Sequence, residues 1–191
     1  GSGIEERAVS LIEGEDAFHG TPDDLFFGHA RLAPVGAAGP EVITLARKNA
    51  RMRITVRGLD RRILEDRYYL TVEIPNDGYD FVGNPTAGTA RVRRTGAFRD
   101  NGDFSTDEAF NLIHTDPAVS PAGGVTVNLY EKALGRSADR LIASVTDDDG
   151  RPISLPAGRT VNLLIDLNEG GGLSVYTEIT PWDEIYQWDI W

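Results

Sequence analysis

The side chains best suited to acid–base or metal chemistry near neutral pH are three histidines, His19, His29 and His114. None has a second histidine within five residues, so neither an HExxH helix nor an HxH pair can be drawn. They read as surface or loop residues. The chain has no cysteine, which removes disulfides and thiolate chemistry. No G-x-S-x-G elbow surrounds a serine, although a dispersed Ser-His-Asp site stays open from sequence. Asp147, Asp148 and Asp149 precede Gly150 and suggest calcium, but an EF-hand loop needs alternating ligands and a closing glutamate at its twelfth position. A hairpin turn through Asp149 and Gly150 explains the run better. The same reading applies to Asp100, Asn101 and Asp103. A glycosidase carboxylate pair is tested by separation in space, which spacing along the chain does not give. Gly170, Gly171 and Gly172 lack a following Gly-Lys-Ser/Thr and read as a hairpin loop. No catalytic constellation emerges, and no cofactor or metal site is expected.

Two clusters remain. The first is basic: Arg47, Arg51, Arg53, Arg57, Arg61, Arg62 and Arg67. If 51–57 is a strand, Arg51, Arg53 and Arg57 share its solvent face, ready for an acidic partner or a polyanionic glycan. The simpler reading is an exposed sheet face with cross-strand pairs to acids such as Glu73. The second is aromatic: Trp182 follows Pro181, and Ile185, Tyr186, Trp188, Ile190 and Trp191 crowd the C-terminus. Tyr186 and Trp188 with Ile190 would line one face of a terminal strand. That strand either closes the domain's own core or offers an apolar edge to another subunit. On the second reading Tyr186, Trp188, Ile190 and Trp191 form the subunit contact.

The elements that must position these residues are strands. Met52, Ile54 and Val56 alternate with Arg51, Arg53, Thr55 and Arg57, and Tyr68, Leu70, Val72 and Ile74 alternate with Tyr69, Thr71 and Glu73. Period-two alternation means one face buried and one wet, as in antiparallel sheets. Strand patterns return at 125–129, at 141–145 and, most cleanly, in a hairpin over 161–179. Asp77-Gly78 is the best tight turn between them, and 85–124 reads as mostly irregular. No helix of three turns is expected. Residues 1–40 mix short apolar pieces with acidic and Gly/Pro-rich ones, and read as the tail of a truncated N-terminal domain plus a linker. Residues 41–191 then form one C-terminal β-sandwich domain. Gly1-Ser2-Gly3 reads as a vector-derived scar.

The net charge of −11 is unevenly spread. Residues 1–40 hold two Lys/Arg against seven Asp/Glu, 41–100 hold twelve against eight, and 101–191 hold five against fifteen. This polarity suits contact between subunits and argues against a nucleic-acid binder, which needs a dominant basic surface.

Several pieces together resemble the fimbrial anchor and fimbrillin-like proteins of Bacteroidales, the type V pilus system. They are TPDDLFFG (21–28), VITLARKNARMRITVRGL (42–59), YYLTVEI (68–74), YDFVG (79–83), VTVNLYEK (125–132), the hairpin VNLLIDLN, and SVYTEITPWDEI with Trp182 as a characteristic late tryptophan. The resemblance implies an outer-membrane lipoprotein of two transthyretin-like β-sandwiches in tandem, with 41–191 as the second. It also implies a non-catalytic role at the cell surface, as a fimbrium anchor or assembly subunit. The partners would be other fimbrial subunits, met through exchanged β-strands. There would be no nucleic-acid partner, and contact with the membrane only through a lipid anchor on the missing N-terminus. The chain departs from the pattern in having no cysteine to carry the lipid and no first sandwich. The alternative is a surface carbohydrate-binding module using loop aromatics such as Phe81 or Phe104.

Overall fold

Alternating apolar residues from Asn49 to Arg57 build the strand around which the rest is assembled. The computed structural model describes residues 9–29, 42–116, 118, 123–135, 137–184, 186 and 188. In chain order the strands among them begin with β1 (Val9–Ser10), β2 (Phe26–Phe27), β3 (Ala46–Arg47), β4 (Asn49–Arg57), β5 (Tyr68–Ile74) and β6 (Gly78–Tyr79). Then come β7 (Ala90–Arg94), β8 (Gly96–Phe98), β9 (Phe104–Thr106), β10 (Phe110–Ile113) and β11 (Thr126–Glu131). The last are β12 (Arg140–Val145), β13 (Asp147–Asp148), β14 (Arg151–Pro152), β15 (Arg159–Leu167) and β16 (Leu173–Pro181). The helical elements among the described residues are two 3-10 turns, Glu15–Ala17 and Glu65–Arg67. No helix among the described residues is long and apolar enough to cross a membrane.

Two sheets carry the fold. One runs β16-β15-β4-β9-β8, with β10 also paired to β4, and the other runs β12-β11-β5-β7. Their inward faces meet in one core: Met52, Ile54, Val56, Leu163 and Ile165 from the first sheet, and Leu70, Val72, Val127 and Leu129 from the second. Full burial of each such side chain contributes about 1.5–3 kcal/mol. The fold is thus the expected β-sandwich, and the 161–179 hairpin forms as β15 and β16, in register from Arg159–Pro181 to Leu167–Leu173. Asp149 and Gly150 have φ of 53° and 76° and close the β13–β14 hairpin, as the sequence suggests.

Four features differ from the sequence reading. First, β15 lies parallel to β4, with Thr160 to Asp166 beside Arg51 to Arg57, within an otherwise antiparallel arrangement. The chain reaches this pairing only after passing through the other sheet, as parallel neighbours require. Second, the stretch expected to be irregular holds β7 to β10. Their short runs carry one to three apolar residues each, too few to display a period. Third, Gly78 is not in a turn: β6 pairs with β1, and a Cβ on Gly78 would lie 2.3 Å from the Val9 carbonyl oxygen. The chain reverses instead between Asp80 and Gly83, where Gly83 has φ of 80° and its N–H reaches the Asp80 carbonyl at 3.0 Å. The Asp80 carboxylate accepts the Val82 and Asn84 N–H groups and fixes this turn.

The fourth concerns Glu73. It lies on the other sheet from β4, opposite Arg91 on β7, and pairs with it at 3.4 Å. It is therefore not the partner of the β4 arginines. Nor is β5 wet on its second face: Tyr69 and Thr71 are buried there, because Arg93 lies over the Tyr69 ring at 3.9 Å and Tyr130 stacks on it at 5.1 Å. The described part of the leading segment is tied to this body. Leu11 packs against the core, the His19 N–H donates to the Arg91 carbonyl, and the Leu25 N–H donates to Asn49 Oδ1.

Candidate functional site

The outer face of the larger sheet carries the β4 arginines. With Arg51, Arg53, Thr55 and Arg57 outward on β4, the parallel register sets Thr160, Asn162, Leu164 and Asp166 beside them. The antiparallel hairpin adds Thr180, Glu178, Tyr176 and Ser174. A free polar face of this kind would be wet. Here the three arginines are half-buried, and Leu164, which points away from the core, is 3% exposed.

The cover over this face includes the chain's own C-terminal segment. Beyond Pro181 the chain turns, with the Glu184 N–H on the Pro181 carbonyl and the Thr180 hydroxyl donating to the Glu184 carbonyl. The Trp182 carbonyl accepts from Arg51 Nη1 at 2.9 Å and from the Thr160 hydroxyl at 2.8 Å. The Trp182 ring lies under the guanidinium carbons of Arg47 at 4.1 Å and Arg51 at 5.2 Å. Such cation–π contacts contribute roughly 0.5–2 kcal/mol as water is excluded. Further along, the Tyr186 N–H donates to Asn162 Oδ1 at 3.2 Å, while Asn162 Nδ2 reaches the Thr180 hydroxyl. Trp188 meets Tyr186 edge-on at 4.9 Å and Tyr176 at 6.3 Å.

Tyr186 and Trp188 are thus brought together, but outside any strand and on the outer sheet face instead of in the core between the sheets. Tyr186 remains 44% exposed. The other two candidates for a subunit contact, Ile190 and Trp191, lie outside the described residues. Of the two loop aromatics considered for sugar binding, Phe81 is 75% exposed at its turn. Phe104 is in the core: its side chain is fully buried against Tyr68 and Phe98 at 5.9 and 5.6 Å, because β9 pairs with the middle of the sheet.

The segment also walls a groove of about 600 Å³ that sequence reasoning missed. Arg53, Thr55 and Ser105 form its floor, the β8–β9 loop one side, and Tyr186 and Trp188 the other. Along β4 the arginines differ. Arg57 is held by both oxygens of Asp103 at 3.2 and 3.1 Å, and this hydrogen bonding raises its pKa. Arg53 donates its Nε to the Ser105 hydroxyl at 3.3 Å, and makes no ion pair among the described residues. Burial and the like charge of Arg99 lower its pKa. The only signal for this groove in the sequence is the set of outward arginines, since Arg99 and Trp188 join Arg53 through contacts distant in the chain.

Two of the three histidines are structural, while His29 is exposed as expected, with its ring 6.3 Å from that of Phe27. His19 Nδ1 accepts the Arg91 N–H, and His114 stacks on Tyr79 at 5.5 Å with a hydrogen bond between the Tyr79 hydroxyl and His114 Nδ1. No group of three His, Asp or Glu side chains among the described residues is placed to hold a metal ion.

With this geometry in hand, comparison with known proteins is informative. The family model described as fimbrillin-A associated anchor proteins Mfa1 and Mfa2 matches residues 2–188. The major fimbrium anchoring subunit FimB of Porphyromonas gingivalis is 24% identical over 189 residues, a stretch that is 92% of this chain and 57% of that protein. The chain therefore spans a little over half the length of that relative. The fimbrial anchor protein Mfa2 of Porphyromonas gingivalis superposes with a TM-score of 0.57 at 12% identity, over 95% of this chain and 68% of that one. A candidate adhesin from Bacteroides ovatus superposes with a TM-score of 0.53 at 13% identity, over 93% and 65% of the two chains.

Proposed function

The chain belongs to the family of fimbrillin-A associated anchor proteins, and from that membership we propose that it acts as an anchor or assembly subunit of a fimbrium at the bacterial outer membrane. The observation that carries this reading is the extent of the family match, residues 2–188, which takes in both sheets and the segment folded over them. The role is one of binding. The titratable side chains with the best catalytic potential, His19 and His114, are engaged in holding strands and loops together.

On this reading the partners are other fimbrial subunits, met through strand edges and through the aromatic pair Tyr186 and Trp188. Ile190 and Trp191 continue the same contact. Unpaired edges supply the means, since among the described residues β12 and β16 each end a sheet, with the middle of the β16 edge held by Asp148 and its ends left open. A lipid anchor on the protein would hold it to the membrane.

Deleting the gene in its native host and counting fimbriae on cells and in the medium tests the proposal. Fimbriae shed into the medium, or grown abnormally long, are the expected result. Normal numbers of normally attached fimbriae would overturn it.

A further inference from the structure

The groove on the outer sheet face has the makings of a ligand site. Its volume, about 600 Å³, falls in the range of small-molecule pockets, roughly 300–1,000 Å³. Two guanidiniums serve it, those of Arg53 and Arg99. Arg99 spends its Nη2 on the backbone carbonyls of Thr106 and Asp107, and its ion pair with Asp107 is long at 3.9 Å. Its Nε is buried with no partner among the described residues. Two half-buried cations with so little carboxylate between them repel each other, and an anion placed between them removes that cost. Asp103 does not fill this role, because Arg57 takes both its oxygens; Asp100 stands exposed at the rim.

The neutral groups narrow the ligand further. Trp188, Tyr186 and Phe98 supply aromatic surface beside a polar floor, in which the Thr55 and Ser105 hydroxyls hydrogen-bond to each other and the Asn101 amide is held by Asp103. Because the floor is the face of a hydrogen-bonded sheet, its backbone groups are already paired with neighbouring strands. A peptide could not add to it as a strand, so recognition must run through side chains. Aromatic rings beside a polar floor suit a sugar ring, and the two guanidiniums suit a carboxylate on it.

We propose that this groove binds a carboxylate-bearing sugar, with Arg53 and Arg99 on the carboxylate and the Tyr186–Trp188 pair against the ring. The site shares the Tyr186–Trp188 pair with the subunit contact of the anchoring role but not its strand edges, and sugar binding by the isolated chain is read separately from fimbrial assembly in cells, so either reading can fail alone.

Titration of the chain with D-glucuronate and with N-acetylneuraminate, followed by calorimetry and by NMR of the Arg53 Nε–H and Trp188 indole N–H, tests it. The expected result is saturable binding of at least one of the two acidic sugars, at least tenfold tighter than glucose, with shifts at both reporters. Binding should weaken as salt is raised. Arg53→Gln and Trp188→Ala should each weaken it about tenfold or more, the loss set by one charge-assisted contact. If either variant melts at a much lower temperature, Tyr186→Ala replaces it, since that ring is largely exposed. The proposal is overturned by the absence of binding of both sugars. It is equally overturned by equal potency of acetate or sulfate, by binding that the variants leave unchanged, or by an acidic peptide binding in their place.

Discussion

At the residue scale, His114 shows how a titratable side chain becomes part of the frame. The Tyr79 hydroxyl donates to the Lys48 carbonyl at 2.8 Å and meets His114 Nδ1 at 3.1 Å, while the His114 N–H points back to the same oxygen. Burial is the main cause of a lowered pKa for His114. The folded protein therefore binds a proton there less readily than the unfolded chain, whose histidine titrates near pH 6.5. Stability from this group is intact above that pH and is lost as the pH falls through the folded-state value. The melting temperature should accordingly drop between about pH 7 and pH 5, and His114→Asn should flatten that dependence. An unchanged slope in thermal melts of the variant would show that other groups set it. The neighbouring sheet has a second buried hydroxyl of another kind. Tyr69 has its pKa pushed up to about 12 by burial and by its hydrogen bond to Asp139, so it remains a neutral donor throughout this range.

At the element scale, the nine-residue β16 is the strand most exposed to unwanted pairing. Leu173 and Ile179 are about half-exposed along it, and one side has no strand among the described residues. The β13–β14 hairpin protects its middle: the Asp148 carboxylate accepts the Thr177 N–H at 3.0 Å and the Thr177 hydroxyl as well. A charged group at a sheet edge discourages a second chain from adding there. Asp148→Ala should thus raise self-association at unchanged fold, seen as a shift to dimer or larger species in sedimentation, whereas a purely monomeric variant would assign the edge's protection elsewhere. The C-terminal segment is an element of the opposite kind, added over a finished sheet. Removing residues 185–191 gives up the Tyr186–Asn162 bond and the aromatic contacts of Tyr186 and Trp188, and removes none of the described core residues. A cost of about 1–2 kcal/mol and a folded domain are expected, measured by urea unfolding, together with loss of fimbrial assembly in cells. Collapse of the truncated domain would make the segment part of the folding unit rather than a contact.

At the scale of the whole molecule, the fold class, the 161–179 hairpin, the Asp149-Gly150 turn and the family were legible in the sequence. Each is written locally. Period-two alternation marks a strand wherever one face is buried, positive φ selects its turn residues, and the family motifs are runs of such strands in order. The order of strands within the sheets was not legible. Alternation in β4 says that Arg51, Arg53 and Arg57 share a face, but not that β15 arrives in parallel beside them or that the C-terminus returns to cover them. Phe104, read as a loop aromatic, lies in the core because three residues of β9 are held between β4 and β8. The groove likewise joins residues of β4, the β8–β9 loop and the C-terminal segment, far apart in the chain. By itself, then, the sequence determined the longer strands and the family they belong to, since the pattern of side chains along a strand of that length is a local consequence of burial, whereas the short strands β7 to β10 showed no period. Only the tertiary structure decided which strands are neighbours, which arginines keep a carboxylate and which do not, and where Tyr186 and Trp188 rest. Those outcomes depend on contacts between distant segments, and a strand's alternation is the same whichever neighbour it finds.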